Sequence, residues 1–379
     1  MKVIQPGSTI GILGGGQLGR MIVLAGRNMG YRFATLDPTP DSPCGQVADK
    51  QIIADFADVG AAEELAQLSD VVTYEFENVH ASVTEQLEKN SFVPQGSELL
   101  RITQNRIREK TTLALHDIPV APFEIIKTEQ DLRFAVEKLG TPCVMKTATG
   151  GYDGKGQWVI RSEQDIPKAF EELSRAGTEL IVEKFIKFTK ELSVIAARST
   201  QGEVRAFPVG ENIHVDNILH QTIVPARVNR ELAEKAEQIA FQIAEAFQVV
   251  GLIAVEMFLT VDGDIIVNEL APRPHNSGHY TMEACVTSQF EQHIRAICGL
   301  PLGSVEMLSP VVMVNVLGEH LNPLMEKIAE LPSTAKLHLY GKEESKLKRK
   351  MGHINFIAPT IEQACTQIEQ LKIWSFTEA

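Results

Sequence analysis

A glycine- and lysine-rich stretch, which lies between two apolar runs, has the residue types that bind phosphate. From Lys146 to Gln157 it reads K-T-A-T-G-G-Y-D-G-K-G-Q, with apolar residues at 144–145 before it and at 158–160 after it. Glycine allows backbone N–H groups to approach a phosphate closely, and lysine adds positive charge. The pattern predicts a β-hairpin with a long cationic tip. We interpret the tip as a lid over a nucleoside triphosphate.

Two carboxylates on consecutive predicted strands could hold a cation. Glu256 lies inside the apolar run 253–258, and Glu269 follows Asn268 at the end of the next run, beyond an Asp-Gly turn. A buried carboxylate is costly unless it is paired or binds a cation. The two strands therefore predict a hairpin on which Glu256, Asn268 and Glu269 hold Mg²⁺ together with substrate phosphates. The alternative is a buried salt bridge from Glu256 to Arg273, which two carboxylates would have to share.

Three further segments combine charge with apolar residues. Residues 183–186 read Glu-Lys-Phe-Ile, where an adenine could bind the backbone, and Glu191 could hold ribose hydroxyls. An ordinary edge strand would have the same pattern. Arg273 and His275 directly follow the Glu269 strand. The third segment is a basic run in an acidic chain, either a phosphate site or a solvated surface, formed by Lys342, Lys346, Lys348, Arg349 and Lys350.

The N-terminal segment contains a glycine motif in a strand–turn–helix context. Gly14, Gly16 and Gly19 fit G-x-G-x-x-G after the apolar strand Thr9–Leu13, and the next strand ends at Asp37. The obvious interpretation is an NAD-dependent oxidoreductase, in which Asp37 would bind ribose. The motif by itself indicates only that an anion could bind at a helix N-terminus. The alternative is that the glycines allow close packing of helix against strand.

The remaining pattern predicts alternating helices and strands. Residues 1 to about 100 read as a β-α-β-α-β unit with a parallel sheet. Helices are predicted at 102–115, 130–139, 166–175, 230–248, 282–298 and 361–371. Strands are predicted at 121–126, 141–146, 180–188, 204–208, 251–259, 265–270, 311–316, 336–339 and 353–357.

Length and composition limit the class of protein. A chain of 379 residues predicts two or three domains, and its net charge of −13 disfavours general binding to nucleic acid or to acidic membranes. The five cysteines are scattered without a C-x-x-C pair, so neither a disulfide framework nor a zinc site is indicated. With no signal-peptide pattern at the N-terminus and a longest apolar stretch, 249–259, too short to span a bilayer, we expect a cytoplasmic protein.

Taken together, the motifs resemble the ATP-grasp superfamily, and within it the members that carboxylate 5-aminoimidazole ribonucleotide in purine synthesis. The resemblance covers nearly the whole chain. It rests on G-I-L-G-G-G-Q-L-G-R-M (11–21), T-Y-E-F-E-N-V (73–79), T-Q-N-R (103–106), G-G-Y-D-G-K-G-Q (150–157), E-K-F-I (183–186), E-L-S-V (191–194), N-E-L-A-P-R-P-H-N-S-G-H-Y-T (268–281) and R-K-M-G-H (349–353).

The resemblance implies a fold and a reaction. The fold is ATP-grasp, of α/β and α+β class, with a Rossmann-like domain over 1–100, an ATP-grasp domain over 101–298 whose lid covers about 120–182, and a small, mostly β domain over 299–379. The reaction uses ATP, Mg²⁺ and bicarbonate to make N5-carboxyaminoimidazole ribonucleotide through carboxyphosphate. A homodimer is also implied. The alternatives are a formate-dependent glycinamide ribonucleotide transformylase and an NAD-dependent dehydrogenase.

The resemblance also implies a role for individual residues. ATP would contact Arg106, Lys146, Gly151, Tyr152, Asp153, Gly154, Lys155, Gly156, Gln157, Glu183, Lys184, Phe185, Ile186, Glu191, His214, Asn268 and Glu269. The ribonucleotide would contact Gly16, Gln17, Leu18, Glu75, Tyr152, Asp153, Arg273, Lys342 and Arg349. Mg²⁺ would bind Glu256, Asn268 and Glu269, and the catalytic residues would be Arg273, His275 and Asp153.

Overall fold

The structure, a computed structural model, describes residues 2–151, 155–174 and 178–374. The chain forms two compact units, and each is assembled from segments that are distant in sequence. The first unit comprises Met1–Leu99, Leu192–Val255 and Ala271–Ala379. The second comprises Leu100–Glu191 and Glu256–Leu270. Each unit is described by itself below.

The first unit begins with a parallel sheet, as predicted, although the sheet has four strands rather than three. Its strands lie in the order β3-β2-β1-β4 and pair in parallel. The elements are β1 (Thr9–Leu13), α1 (Gln17–Asn28), β2 (Arg32–Leu36), β3 (Lys50–Ile52), α2 (Val59–Gln67), β4 (Val71–Tyr74) and α3 (Ala81–Glu88). The three-residue β3 was not predicted, because Lys50-Gln51-Ile52 is too short to show a strand period.

The second unit begins with a break that the sequence pattern concealed. The single helix predicted over 102–115 is wrong, since the chain forms α4 (Glu98–Thr103) and α5 (Arg106–Leu115). Asn105 takes an extended conformation, and its side chain accepts hydrogen bonds from the N–H groups of Ile107 and Arg108. It therefore caps the N-terminus of a new helix.

The predicted hairpin around the glycine-rich stretch is confirmed. It belongs to an antiparallel sheet in the order β5-β8-β6-β7, in which Lys146 pairs with Gln157. Leu132, Met145 and Val182 belong to the apolar core of this sheet and its helices. The elements are β5 (Phe123–Ile126), α6 (Glu129–Leu139), β6 (Cys143–Thr147), β7 (Gln157–Ile160), α7 (Ile166–Leu173) and β8 (Leu180–Lys184).

A third, larger sheet follows along the chain, with one helix between the strands of this segment. Its elements are β9 (Phe188–Arg198), β10 (Val204–Ala206), β11 (Gly210–Val215), β12 (Ile218–Val224), α8 (Arg230–Ala246), β13 (Gly251–Thr260) and β14 (Ile265–Ala271). Strands β9, β13 and β14 each pass from one unit into the other. The pair β11–β12 was not predicted.

The C-terminal segment completes the first unit. The single helix predicted over 282–298 is wrong, because Cys285 is extended and Ser288 caps a new helix through the N–H of Glu291. Strands β15 and β17 continue from β12, with Gln221 paired to Val314. The elements are α9 (Thr281–Ala284), α10 (Gln289–Ile297), β15 (Val311–Leu317), α11 (Gly318–Glu326), β16 (Ala335–Leu339), β17 (Lys350–Ile357) and α12 (Ile361–Leu371).

No helix in the described part of the chain is long and apolar enough to cross a membrane.

Candidate active site

Four of the residues predicted to bind ATP or metal form ion pairs in the second unit. The Lys146 Nζ lies 3.0 Å from Glu183 Oε2, and the Arg106 Nη1 lies 3.4 Å from Glu269 Oε2. Arg106 also donates from Nη2 to the carbonyl oxygen of Gly151, at 3.3 Å. One cluster therefore joins the start of α5, the ends of β6 and β8, and the end of β14.

Strand pairing explains how Lys146 reaches Glu183. Val144 of β6 is opposite Glu183 of β8, and Lys146 is two residues along, opposite Ile181. Such diagonal neighbours on one face of an antiparallel pair are within reach of long side chains. The backbone of Arg106 is held separately, because its backbone N–H donates to the carbonyl oxygen of Ala148 at 2.8 Å.

Two buried residues of this cluster were not predicted, Glu109 and Lys110. Burial raises the pKa of Glu109 to about 8, so this carboxyl keeps its proton at neutral pH. Burial also acts against the ionised form of Glu183, but Lys110 and Lys146 outweigh it and lower the pKa of this carboxyl. The three cations Arg106, Lys110 and Lys146 lie against two ionised carboxylates, Glu183 and Glu269. The excess of positive charge suits an anionic ligand such as a nucleotide phosphate.

The described ends of the glycine-rich loop require glycine. Gly150 and Gly156 have positive φ angles, of 75° and 69°. A Cβ at Gly156 would lie 2.7 Å from Thr147 Oγ1, and one at Gly151 would lie 2.9 Å from the carbonyl oxygen of Lys155. Lys155 and Gln157 are exposed. The predicted contacts at Tyr152, Asp153 and Gly154 lie outside the described residues.

The segment predicted to hold adenine is partly open. Lys184 and Phe185 are exposed and Ile186 is half-buried. The N–H of Lys184 donates to Pro122, and that of Phe185 donates to Pro142. Hydrogen bonds to a base would therefore come from other backbone groups of this segment.

Two predicted ATP contacts, Glu191 and His214, fall in different units. Glu191 is half-buried at the end of the second unit. His214, on β11, is half-buried in the first unit. Both roles stay predictions.

The predicted metal ligands fit an ion that is shared with phosphates. Glu256, Asn268 and Glu269 are each half-buried, on β13 and β14. Among the described residues, no group of three or more His, Cys, Asp or Glu side chains could hold a metal ion without other ligands. Two carboxylates and an amide match Mg²⁺, which commonly takes few protein ligands together with phosphate oxygens. Arg273, the alternative partner of Glu256, pairs with Glu77 in the first unit.

Arg273 and His275, predicted to be catalytic, lie on the segment after β14. The Arg273 Nη2 donates to Glu77 Oε1 at 2.9 Å, and its Nε donates to Glu77 Oε2. Burial opposes ionisation of Glu77, but Arg273 outweighs it and lowers the pKa of this carboxyl. Glu77 was not predicted as a site residue, although the motif T-Y-E-F-E-N-V contains it. It holds the guanidinium in a fixed, bidentate orientation.

The hydrogen bonds of His275 define its tautomer. Its Nδ1 accepts from the Ser277 N–H at 3.3 Å and lies 2.9 Å from Ser277 Oγ. Because that N–H must donate, Nδ1 is the acceptor, and the neutral ring carries its proton on Nε2. Burial and then the charge of Arg273 lower the pKa of His275 well below its usual value. Gln289 fixes the backbone here, since its amide exchanges two hydrogen bonds with the His275 N–H and C=O.

The N-terminal glycine loop holds two of the protein's own carboxylates. Glu75 accepts from the N–H groups of Gly16 and Gly19, and Asp37 accepts from the N–H of Gly15 at 2.8 Å. A Cβ at Gly16 would lie 2.7 Å from Glu75 Oε1. These contacts disfavour a dinucleotide phosphate at this position. The prediction that Gly16, Gln17 and Leu18 contact a ribonucleotide remains, but a phosphate there would have to displace Glu75.

The basic run divides into a half-buried lysine, Lys342, and charges that are mostly exposed. Lys342 donates to the carbonyl oxygen of Lys350 at 2.7 Å, and burial, with Arg349 nearby, lowers its pKa to about 8. Arg349 is exposed and donates to the carbonyl oxygen of Glu344. Lys348 pairs with Asp216. Lys342 and Arg349 are therefore two neighbouring cations of this run that could bind one anion together.

Two buried histidines, His279 and His353, and the half-buried His338 lie together in the first unit. The His353 ring lies 4.6 Å from both His279 and His338, and its Nδ1 lies 2.9 Å from the Tyr340 hydroxyl. Burial lowers the pKa of His279 and of His353 well below the usual value. Such rings stay neutral in the folded state and take up protons only on unfolding.

We expect His353→Gln to flatten the dependence of stability on pH. With a folded pKa below its unfolded value of about 6.5, His353 contributes fully above pH 6.5, and the contribution is lost as pH falls. Between pH 7.5 and 5.5 the wild type should lose about 1.4 kcal/mol of unfolding free energy relative to the variant. Urea denaturation at both pH values measures this. The comparison with the variant cancels the opposite contribution of Glu75 and Glu109, whose pKa values are raised to about 7 and 8. If the wild type and the variant lost the same unfolding free energy between the two pH values, the prediction would be contradicted.

Three family models match successive parts of this chain. Residues 7–104 match the ribonucleotide synthetase preATP-grasp domain, and residues 111–290 match the ATP-grasp domain. Residues 311–367 match the phosphoribosylaminoimidazole carboxylase C-terminal domain.

Individual relatives match along almost the full length. N5-carboxyaminoimidazole ribonucleotide synthase of Bacillus subtilis is 52% identical over 94% of this chain and 93% of its own. A crystal structure of an N5-carboxyaminoimidazole ribonucleotide synthetase with ADP has a TM-score of 0.95 at 54% identity, covering 99% of this chain and 98% of that one. The Aspergillus clavatus synthase, crystallised with ADP and 5-aminoimidazole ribonucleotide, has a TM-score of 0.90 at 34% identity, covering 97% and 98%.

Proposed function

The chain belongs to the N5-carboxyaminoimidazole ribonucleotide synthases, which are ATP-grasp ligases, and from this premise we propose which residues carry each part of the reaction. The enzyme uses ATP with Mg²⁺ and bicarbonate to carboxylate 5-aminoimidazole ribonucleotide in purine biosynthesis. A bicarbonate oxygen attacks the γ-phosphorus and ADP leaves. The resulting carboxyphosphate then loses phosphate as its carbon passes to the N5 amine, which gives up a proton.

The observation that carries the residue assignment is the cationic cluster of the second unit. Phosphoryl transfer requires positioning and charge neutralisation more than covalent catalysis. We propose that Arg106 and Lys146 bind the ATP phosphates and that the glycine-rich loop covers these phosphates. In this proposal the segment 183–186 binds adenine and Glu191 binds ribose. His214 is a further nucleotide contact. When bound, Mg²⁺ neutralises charge on the β- and γ-phosphates, and Glu256, Asn268 and Glu269 would hold it.

The residues of the first unit are assigned to the carboxyl group and its acceptor. The Arg273 guanidinium, oriented by Glu77, suits an anionic carboxyl group, and His275 can donate its Nε2–H to an oxygen of the same group. Ribonucleotide binding is proposed for Gly16, Gln17, Leu18, Glu75, Arg273, Lys342 and Arg349. Tyr152 and Asp153, outside the described residues, remain proposed contacts of both substrates, and Asp153 a proposed catalytic residue.

The function predicts ADP release that depends on 5-aminoimidazole ribonucleotide. At fixed bicarbonate, adding this ribonucleotide should raise the rate of ADP release, and removing Mg²⁺ with EDTA should stop it. A coupled assay for ADP measures both. Formate with glycinamide ribonucleotide serves as the control for the related transformylase, and an NADH fluorescence titration as the control for a dehydrogenase. Two results would contradict the assignment. One is ADP release that formate and glycinamide ribonucleotide support, and the other is ADP release that does not change when 5-aminoimidazole ribonucleotide is added.

Domain boundaries, oligomeric state and location complete the proposal. We propose domains at 1–100, 101–298 and 299–379, with the lid at about 120–182, and the three family matches support these divisions. A cytoplasmic homodimer also remains a proposal. Sedimentation equilibrium would test the dimer.

A further inference from the structure

Lys110 is a buried lysine to which the proposed function assigns no role. It lies on α5 in the second unit, with 1% of its side chain exposed. Its Nζ donates to the carbonyl oxygens of Asn268 at 2.7 Å and Val267 at 3.2 Å, and lies 3.9 Å from Glu183 Oε2. An ammonium group is expensive to bury without charged and hydrogen-bonded partners. These contacts therefore account for its position and indicate what it acts on.

Lys110 and Lys146 share one oxygen of Glu183. Oε2 is 3.0 Å from Lys146 Nζ and 3.9 Å from Lys110 Nζ. The other oxygen, Oε1, is buried without a hydrogen-bond partner among the described residues. The charge of Glu183 is thus compensated by two lysines. Without Lys110, the carboxylate would depend on Lys146 for nearly all of its compensation.

The same turn of α5 also holds the backbone of β14. Lys110 binds the carbonyl oxygens of Val267 and Asn268, and the neighbouring Glu109 accepts from the Leu270 N–H at 3.3 Å. These contacts bracket Asn268 and Glu269, the proposed metal ligands on this strand. The backbone that presents both side chains is therefore anchored at both ends to one helix.

We propose that Lys110 is a positioning residue, which compensates Glu183 from the buried side and so leaves Lys146 available to the phosphates of the nucleotide, while it anchors the strand of Asn268 and Glu269. The inference rests on the proposed ATP site. It assigns Lys110 no contact with substrate. Its effect is transmitted through two neighbours, the Glu183 carboxylate and the β14 backbone.

Calorimetric titration with ADP, with Mg²⁺ and with EDTA in its place, tests this role without turnover. We expect Lys110→Met to weaken ADP binding at least about tenfold, because Glu183 then retains Lys146. Lys110→Arg, which keeps the charge, should bind within about threefold of wild type. Lys138→Met is the matched control, because it makes the same change in this unit at a side chain that is 71% exposed and paired with Glu124. It should bind ADP as the wild type does.

A double-mutant cycle with Glu183→Gln separates charge compensation from a structural role. In EDTA, where the proposed metal ligands on β14 do not contribute to ADP binding, Lys110→Met should weaken binding by less than about threefold once Glu183 is neutral, because no carboxylate competes for Lys146. An effect of Lys110→Met that is as large in this background as in the wild type would overturn the proposal. So would a Lys110→Met protein that melts earlier but binds ADP normally.

A second substitution keeps the test usable if Lys110→Met fails to fold. If Lys110→Met does not fold, Lys110→Gln keeps an amide donor for the β14 carbonyls and takes its place in the cycle, with the same outcomes for and against. A wild-type protein that does not bind ADP would overturn the proposed function itself, and with it this inference.

Discussion

Replacing Lys146 with alanine is expected to lower ADP release that depends on 5-aminoimidazole ribonucleotide by about a thousandfold. A cation placed on a transferring phosphoryl group typically contributes a factor on this order or more. Lys146 is the cation at the base of the glycine-rich loop, and 13% of its side chain is exposed. The loss should appear in kcat as well as in the KM for ATP, because the transferred group gains charge contacts in the transition state. A coupled assay for ADP measures both constants.

The Lys146→Ala protein should remain folded. Glu183 keeps Lys110 as a partner, so removal of Lys146 does not leave a buried carboxylate without a cation. Lys138→Ala, on α6 of the same unit, is the matched control and should turn over at the wild-type rate. Thermal unfolding of both variants shows whether a loss of rate is a loss of structure. Turnover of Lys146→Ala within about tenfold of wild type would refute the phosphate assignment.

The second large effect is expected at His275, where two substitutions should differ. His275→Asn places an amide oxygen near the position of Nδ1 and preserves the acceptor for the Ser277 N–H, but it lacks a donor at Nε2. We expect it to lower kcat by about a hundredfold, the usual effect of removing one donor from a developing anion. His275→Gln places an amide N–H near the position of Nε2. It should remain within about tenfold of the wild type.

This pair of variants distinguishes a hydrogen-bond donor from a general base. Glutamine cannot accept a proton at neutral pH, so an essential base at His275 would make both variants equally inactive. That result would contradict the tautomer argument. Steady-state rates with saturating ATP and varied bicarbonate measure the effect. Ser277→Ala is the control, because it keeps the backbone N–H that defines Nδ1 as the acceptor.

Several features of the fold followed from local sequence pattern. Alternation and turn residues predicted the hairpin of β6 and β7, and the glycine motif predicted the parallel β-α-β start. The two helices predicted as continuous, over 102–115 and 282–298, were wrong for one reason. Asn105 and Ser288 stand within an apolar periodicity that continues across them, but their side chains bind backbone N–H groups and start new helices.

What only the tertiary structure decided is which charged groups are partners. The sequence marked Lys146, Glu183 and Arg273 by residue type, but Lys110 and Glu77 became part of the site only through contacts across 157 and 196 residues. The N-terminal glycine loop shows the same difference between pattern and fold. Its pattern predicts that a ligand anion binds there, whereas in the fold its N–H groups bind the protein's own carboxylates, Glu75 and Asp37. Periodicity reflects short-range backbone preferences, which a sequence displays directly. The pairing of buried charges depends on desolvation and on packing of distant segments, and it is settled only when the chain has folded.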